Sequence, residues 1–191
     1  MNNKLTKLES LFFNSPGISI IEVNSLNSQS KYYNIFYNFL CRKEDSILVC
    51  DCDNYYELKT KKIIIPNLTC EHILLLLSKN KNITFFISTP INVWLYGHTE
   101  LNYNISSIFF DINQICLNNN INIVLSERIR KTQSSHYKNN KINLVNLYVQ
   151  YINDEIHILK NRYGENSNIK VEDLFINIIR EKKIKRILSY L

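Results

Sequence analysis

Apolar positions in this chain fall into two alternating rhythms. Short β-branched runs recur at Gly17–Val23 (GISIIEV), Ser46–Cys50 (SILVC), Lys61–Ile65, Ile83–Ile87 (ITFFI) and Ile121–Leu125 (INIVL), each bounded by polar or turn-forming residues. Such runs predict buried strands. Between them lie segments with apolar residues three and four apart. Lys31–Leu40 carries Ile35, Phe36, Phe39 and Leu40, and Asn67–Lys79 carries Leu74–Leu77 behind Thr69 as N-cap. Tyr103–Leu117 carries Ile105, Ile108, Phe109, Ile112, Ile115 and Cys116. That spacing predicts helices with one apolar face. Strand and helix alternating in this way predict a mostly parallel sheet covered on both faces.

The rhythm changes after Leu125. Ser126–Lys141 reads as a polar, basic loop, followed by two strands, Leu144–Tyr151 and Glu155–Lys160, around Asn153-Asp154. Asn and Asp tolerate the positive φ that a hairpin turn needs, so an antiparallel hairpin is expected late in the chain. Asn168–Glu172 alternates and predicts a further strand. From about 173 to 191 the pattern predicts a basic amphipathic C-terminal helix. No repeat or linker divides the 191 residues, so one domain spanning 1–191, with its core at about 15–175, is expected.

Composition changes this picture little. Hydrophobic residues at 45% and charged residues at 21% indicate a globular chain rather than a disordered one. The abundance of Asn, Ile, Lys and Tyr, with no Ala, is the mark of an AT-rich coding sequence. Asn118-Asn119-Asn120 and the Asn-x-Ser/Thr matches at Asn67, Asn82 and Asn104 then carry no separate meaning. No apolar run approaches the ~20 residues that span a bilayer, and the N-terminus lacks a secretory pattern. An intracellular location is expected, cytoplasmic in a prokaryote or nuclear in a eukaryote, without a membrane partner. Five cysteines, an odd number set mostly in apolar segments, read as reduced buried thiols. A metal site would have to join Cys50 and Cys52 to Cys70 and His72, a spacing that matches no standard zinc knuckle. The formal charge of +6 permits a polyanionic partner.

Candidate chemistry sits where strands give way to loops. The loop after the first strand, Ser25-Leu26-Asn27-Ser28-Gln29-Ser30-Lys31-Tyr32, has the length, place and lysine of a phosphate-binding loop of pattern G-x-x-x-x-G-K-S/T. Ser25 and Ser30 replace the glycines, and Tyr32 replaces the magnesium-ligating hydroxyl. The second strand ends in Val49-Cys50-Asp51-Cys52-Asp53. The Ile83–Ile87 strand ends in Ser88-Thr89, and the next in Ser126-Glu127-Arg128. The late hairpin closes with Lys160-Asn161-Arg162-Tyr163-Gly164, a basic turn that would also arise from turn chemistry alone.

In this order the segments resemble the RecA-like ATPase core, of the RadA and RadB recombinase-paralogue type and also similar to the DnaB helicase core. The resemblance runs from about Gly17 to Glu172. It implies a three-layer P-loop fold, with Asp53 at the position of the water-activating glutamate. Ser88 stands where the Walker B aspartate belongs, and Arg128 at the glutamine of the sensor strand. Lys160, Asn161, Arg162 and Gly164 match the Lys-Asn-Arg-aromatic-Gly motif. The resemblance also implies a nucleotide site at Ser25, Ser30, Lys31, Tyr32 and Ser88. Losing the glycines, the hydroxyl and the aspartate removes groups of a kind worth ~3–4 kcal/mol each in a transition state. Efficient hydrolysis is therefore not expected, while weak ATP binding through Lys31 stays open.

The loop after the sensor strand contacts DNA in this family. Here it holds Arg128, Arg130, Lys131, Tyr137, Lys138 and Lys141, cations for phosphates and a ring for stacking, which favours single-stranded DNA. A solvated basic loop would look the same. The resemblance implies a non-catalytic, DNA-binding accessory factor for recombination or repair, partnered by a RecA-family recombinase or paralogue subunit. Two alternatives remain: a divergent active ATPase using Lys31 and Asp53, and a protein-interaction scaffold that kept only the fold.

Overall fold

The computed structural model describes residues 10–13, 16–23, 38–40, 45–51, 61–94, 105–128, 145–153, 155–160 and 168–170. Eight strands form one sheet: β1 (Gly17–Val23), β2 (Ser46–Cys50), β3 (Lys61–Ile64), β4 (Thr84–Ile87), β5 (Asn122–Arg128), β6 (Leu147–Ile152), β7 (Glu155–Lys160) and β8 (Asn168–Lys170). Their order is β3-β2-β4-β5-β1-β6-β7-β8. The strands from β3 to β6 are mutually parallel, and β7 and β8 add antiparallel pairs at one edge. The hairpin turns at Asn153, whose φ of 49° is the left-handed conformation its residue type tolerates.

Among the described residues, helices run over α1 (Cys70–Ser78), α2 (Ile91–Trp94) and α3 (Ile105–Asn119), and residues 10–13 and 38–40 are also helical. Thr69 caps α1 as expected. Its hydroxyl accepts from the His72 amide at 3.4 Å, and the His72 ring nitrogen Nδ1 accepts from the Thr69 amide at 3.2 Å. That reciprocal box satisfies two donors that a helix start leaves open. It also gives His72 a structural task in place of the metal ligation considered for it.

Alternation along the strands sorts the core into two layers. Ile21, Val23, Leu48, Phe86, Val124, Leu147 and Val149 pack on one face with Phe12, Phe13 and Leu40. Ile18, Ile20, Val49, Phe85, Ile87, Ile123 and Leu125 pack on the other with Ile73, Leu77, Trp94, Phe109 and Ile112 of the helices. Every residue of β1 is buried, as a central parallel strand requires. Trp94 is buried in the core. The Cys50 and Cys116 thiols are buried and that of Cys70 is half-buried.

One boundary departs from expectation. The strand expected to stop at Leu125 continues through Arg128, because β1 extends to Val23 and supplies partners: Ile21 pairs with Ser126, Glu22 with Glu127 and Val23 with Arg128. Residues 126–128, expected to open the basic loop, thus belong to β5. The helix expected over 31–40 is described only at 38–40, where it is helical, and the C-terminal helix expected over 173–191 lies outside the described residues.

This packing can be probed at one glycine and at two thiols. Gly17 sits at φ +134°, and a side chain there would collide with the Asn146 amide, which donates to Pro16 O at 2.7 Å. Gly17→Ala is expected to lower unfolding free energy by about 2–4 kcal/mol in urea titration. Burial pushes the Cys116 thiol from 9.0 up to about 12. Burial, then the Glu71 and Asp111 carboxylates, push Cys70 to about 11. The folded state prefers the neutral thiols, so their contribution is whole below pH 9 and declines as pH rises toward 11–12. Denaturation series at pH 8 and 10.5 should show this loss, and Cys116→Ala should reduce it.

Candidate functional site at the C-terminal edge of the sheet

In an open parallel sheet, ligands bind outside the carboxyl ends of the strands, where connections leave in opposite directions. Here the chain leaves β1 toward β2, while β5 connects to β6 across β1. The edge formed by the ends of β2, β4, β5, β1 and β6 is therefore the candidate site.

Ser88 closes β4 and is buried. Its amide and its hydroxyl both donate to the Val49 carbonyl of β2, at 3.0 and 3.2 Å. Next to it, Thr89 accepts from the Asp51 amide through its hydroxyl at 3.1 Å. These bonds lock the ends of β2 and β4 together. They commit Ser88 to a backbone carbonyl where the resemblance requires a free carboxylate. This end of β4 does not fit the support that a magnesium–nucleotide group needs.

The register exposes a feature that motif reading missed. Glu22 pairs with Glu127 on one side and Gln150 on the other, and Gln150 pairs with His157. Thr89 comes level with Glu127 two residues beyond the Ile87–Leu125 pair. Glu127, Glu22, Gln150 and His157 thus form one transverse polar row across four strands, continued by Thr89 and Asp51 just past the ends of β4 and β2. Glu22 and Glu127 are each 1% exposed. By alternation with Ile20 and Leu125 they face the helical layer of α1 to α3. Ser88, alternating with Phe86, faces the other layer. Glu127 therefore does not replace the missing carboxylate.

Two carboxylates on adjacent strands, about 5 Å apart in backbone spacing, repel strongly when buried. Donors from β6 offset this. Gln150 Nε2 donates to Glu22 Oε2 at 2.5 Å, and the Tyr148 hydroxyl donates to Glu127 Oε2 at 3.4 Å. Burial, and then the charges of Glu127 and Glu22, push the Tyr148 hydroxyl far above the usual phenol range. It stays a donor at any physiological pH. At the outer end of the row, His157 Nε2 lies 3.7 Å from the Glu155 carboxylate. One signal was present in the sequence: a lone charge inside each of two apolar strands, Glu22 in GISIIEV and Glu127 after INIVL.

Of the residues expected at a site, Ser88 is placed as described. Arg128 and Lys160 end β5 and β7 by backbone alone. Ser25, Ser30, Lys31, Tyr32, Asp53, Arg130, Lys131, Tyr137, Lys138, Lys141, Asn161, Arg162 and Gly164 lie outside the described residues. Among the described residues, no three His, Cys, Asp or Glu side chains gather to hold a metal ion, and no helix is long and apolar enough to cross a membrane.

Comparison with solved structures finds the same architecture elsewhere. The chain superposes on an ATPase domain of known structure with a TM-score of 0.62 at 9% identity, covering 86% of this chain and 84% of that one. A DnaB-like replicative helicase, described with its interactions with primase, matches at 0.61 and 9% identity over 86% of this chain and 58% of that one. The flagellar accessory protein FlaH from Methanocaldococcus jannaschii matches at 0.56 and 11% identity, covering 86% and 88%. No family model matches the sequence, and neither does any curated protein. The chain has the RecA-like P-loop fold.

Tyr148→Phe tests the row. Removing the hydroxyl takes one donor from a buried carboxylate, which costs about 1–3 kcal/mol. Urea denaturation at pH 7 should show that loss with an unchanged m-value, and Gln150→Leu should act similarly on Glu22.

Proposed function

We propose that this RecA-like chain is a non-hydrolysing accessory subunit that binds DNA and works beside an active RecA-family partner in recombination or repair. The observation that carries the reading is Ser88. The end of β4, where hydrolysis in this fold calls for a carboxylate, presents a hydroxyl bonded to the Val49 carbonyl. The sequence around it agrees. The loop after β1 keeps a lysine, Lys31, but neither glycine, and Tyr32 stands at the magnesium ligand. Backbone amides curl around phosphates only where the chain can adopt the angles glycine allows.

The binding half of the reading rests on the segment after β5. Arg128 ends β5, at the candidate edge, and Arg130, Lys131, Lys138 and Lys141, with Tyr137 among them, come after it in the chain. Cations there would meet phosphates, and a tyrosine ring stacks on an unpaired base. Such binding releases counterions, so its signature is loss with salt. In a mixed assembly the partner would supply the hydrolysis that this chain lacks.

Titration of labelled single- and double-stranded DNA at 50 and 200 mM salt, with and without Mg-ATP, is the direct test. The expected outcome is tighter binding to single strands, a fall of tenfold or more between the two salts, and no response to ATP. Arg130→Ala, Lys131→Ala and Lys138→Ala together should remove most of the affinity. Steady ATP turnover abolished by Lys31→Ala would overturn the non-hydrolysing assignment. Absence of DNA binding at low salt would overturn the DNA role.

A further inference from the structure

The helical layer carries a second surface, built on different elements from the edge just described and independent of the reading above. Between α1 and α3 runs an open groove of about 610 Å³. Leu74 and Leu75 of α1 and Ile115 of α3 line it, and Leu75 is 51% exposed although it lies mid-helix. Glu71 and Asp111 stand on its two walls. After burial, both carboxylates also help raise the Cys70 thiol. An apolar floor with an acidic rim is an unusual patch on a chain of formal charge +6.

The complementary surface is written in the chain itself. Residues 180–191, REKKIKRILSYL, place Ile184, Ile187, Leu188 and Leu191 at the i, i+3, i+4, i+7 spacing of a helix that anchors in a groove. Arg180, Lys182, Lys183, Lys185 and Arg186 supply five cations, against the single acid Glu181. The lengths are compatible: nine residues of α1 form a wall about 13 Å long, and eight residues from Ile184 to Leu191 would span about 12 Å as a helix.

We propose that the α1–α3 groove receives the basic C-terminal segment, residues 180–191, of a second copy of this chain. The apolar anchors enter between Leu74, Leu75 and Ile115, and the cations meet Glu71 and Asp111. The contact joins two different surfaces, so it is heterologous and builds head-to-tail assemblies rather than closed two-fold dimers.

Sedimentation of the full chain from about 1 to 100 µM tests the proposal, with circular dichroism confirming that each variant is folded. The expected result is concentration-dependent association that weakens severalfold when salt rises from 50 to 500 mM. Asp111→Lys, a change at an exposed position, should weaken it at least tenfold, as should Lys182→Glu with Lys183→Glu. Combining all three substitutions in one chain should restore association, because the charges are then exchanged rather than lost. A chain that stays monomeric throughout overturns the proposal, as does association that ignores Asp111→Lys. So does a combined variant no better than its parents. A Cys introduced at 190 that cross-links to Cys70 independently of concentration would place the segment on its own groove, and would overturn the second-copy assignment.

Discussion

Two glutamates buried side by side in the middle of a sheet impose conditions on everything around them. Glu22 and Glu127 are register partners on adjacent parallel strands, and each is almost wholly removed from water. An uncompensated buried carboxylate costs several kcal/mol, and two neighbours cost more than twice one. The arrangement survives because β6 lies on the far side of β1 in a register that brings Tyr148 and Gln150 within reach. Slipping β6 by one residue would turn both donors to the opposite face and present Leu147 and Val149 instead. The polar row thus selects one alignment of the three central strands, an alignment that apolar β-branched residues alone would leave weakly determined.

That constraint reaches the candidate site, because the row lies directly beneath it. The strands β1, β2, β4 and β5 all end within one or two residues of Glu22, Asp51, Thr89 and Glu127. A hydrogen-bonded floor thus fixes where these strand ends lie. Ser88 follows the same logic. Its two bonds to Val49 O tie β4 to β2 at the edge of the sheet.

Much of the fold was legible from the chain, for a physical reason. Parallel strands buried on both faces must be short apolar runs, and GISIIEV, SILVC, ITFFI and INIVL have no other stable use at that length. The Thr69 cap and the Asn153 turn were legible because each depends on one side chain acting locally. The end of β5 was not. Ser126, Glu127 and Arg128 look like a loop, and only the partner strand, distant in sequence, makes them a strand. The polar row was hidden for the same reason: its members come from separate segments and meet only through register. The commitment of Ser88 to Val49 required the position of β2.

The two layers of the molecule also divide its chemistry. On the sheet's C-terminal edge, Ser88 and Thr89 bond to the end of the neighbouring strand. On the helical layer, by contrast, α1 and α3 leave Leu75 exposed beside two carboxylates. Exposed apolar area favours aggregation. An apolar floor with a charged rim favours instead a specific contact, in which the charges choose the partner and the floor supplies the affinity. The groove and the edge are carried by separate elements, so either can change without unfolding the other.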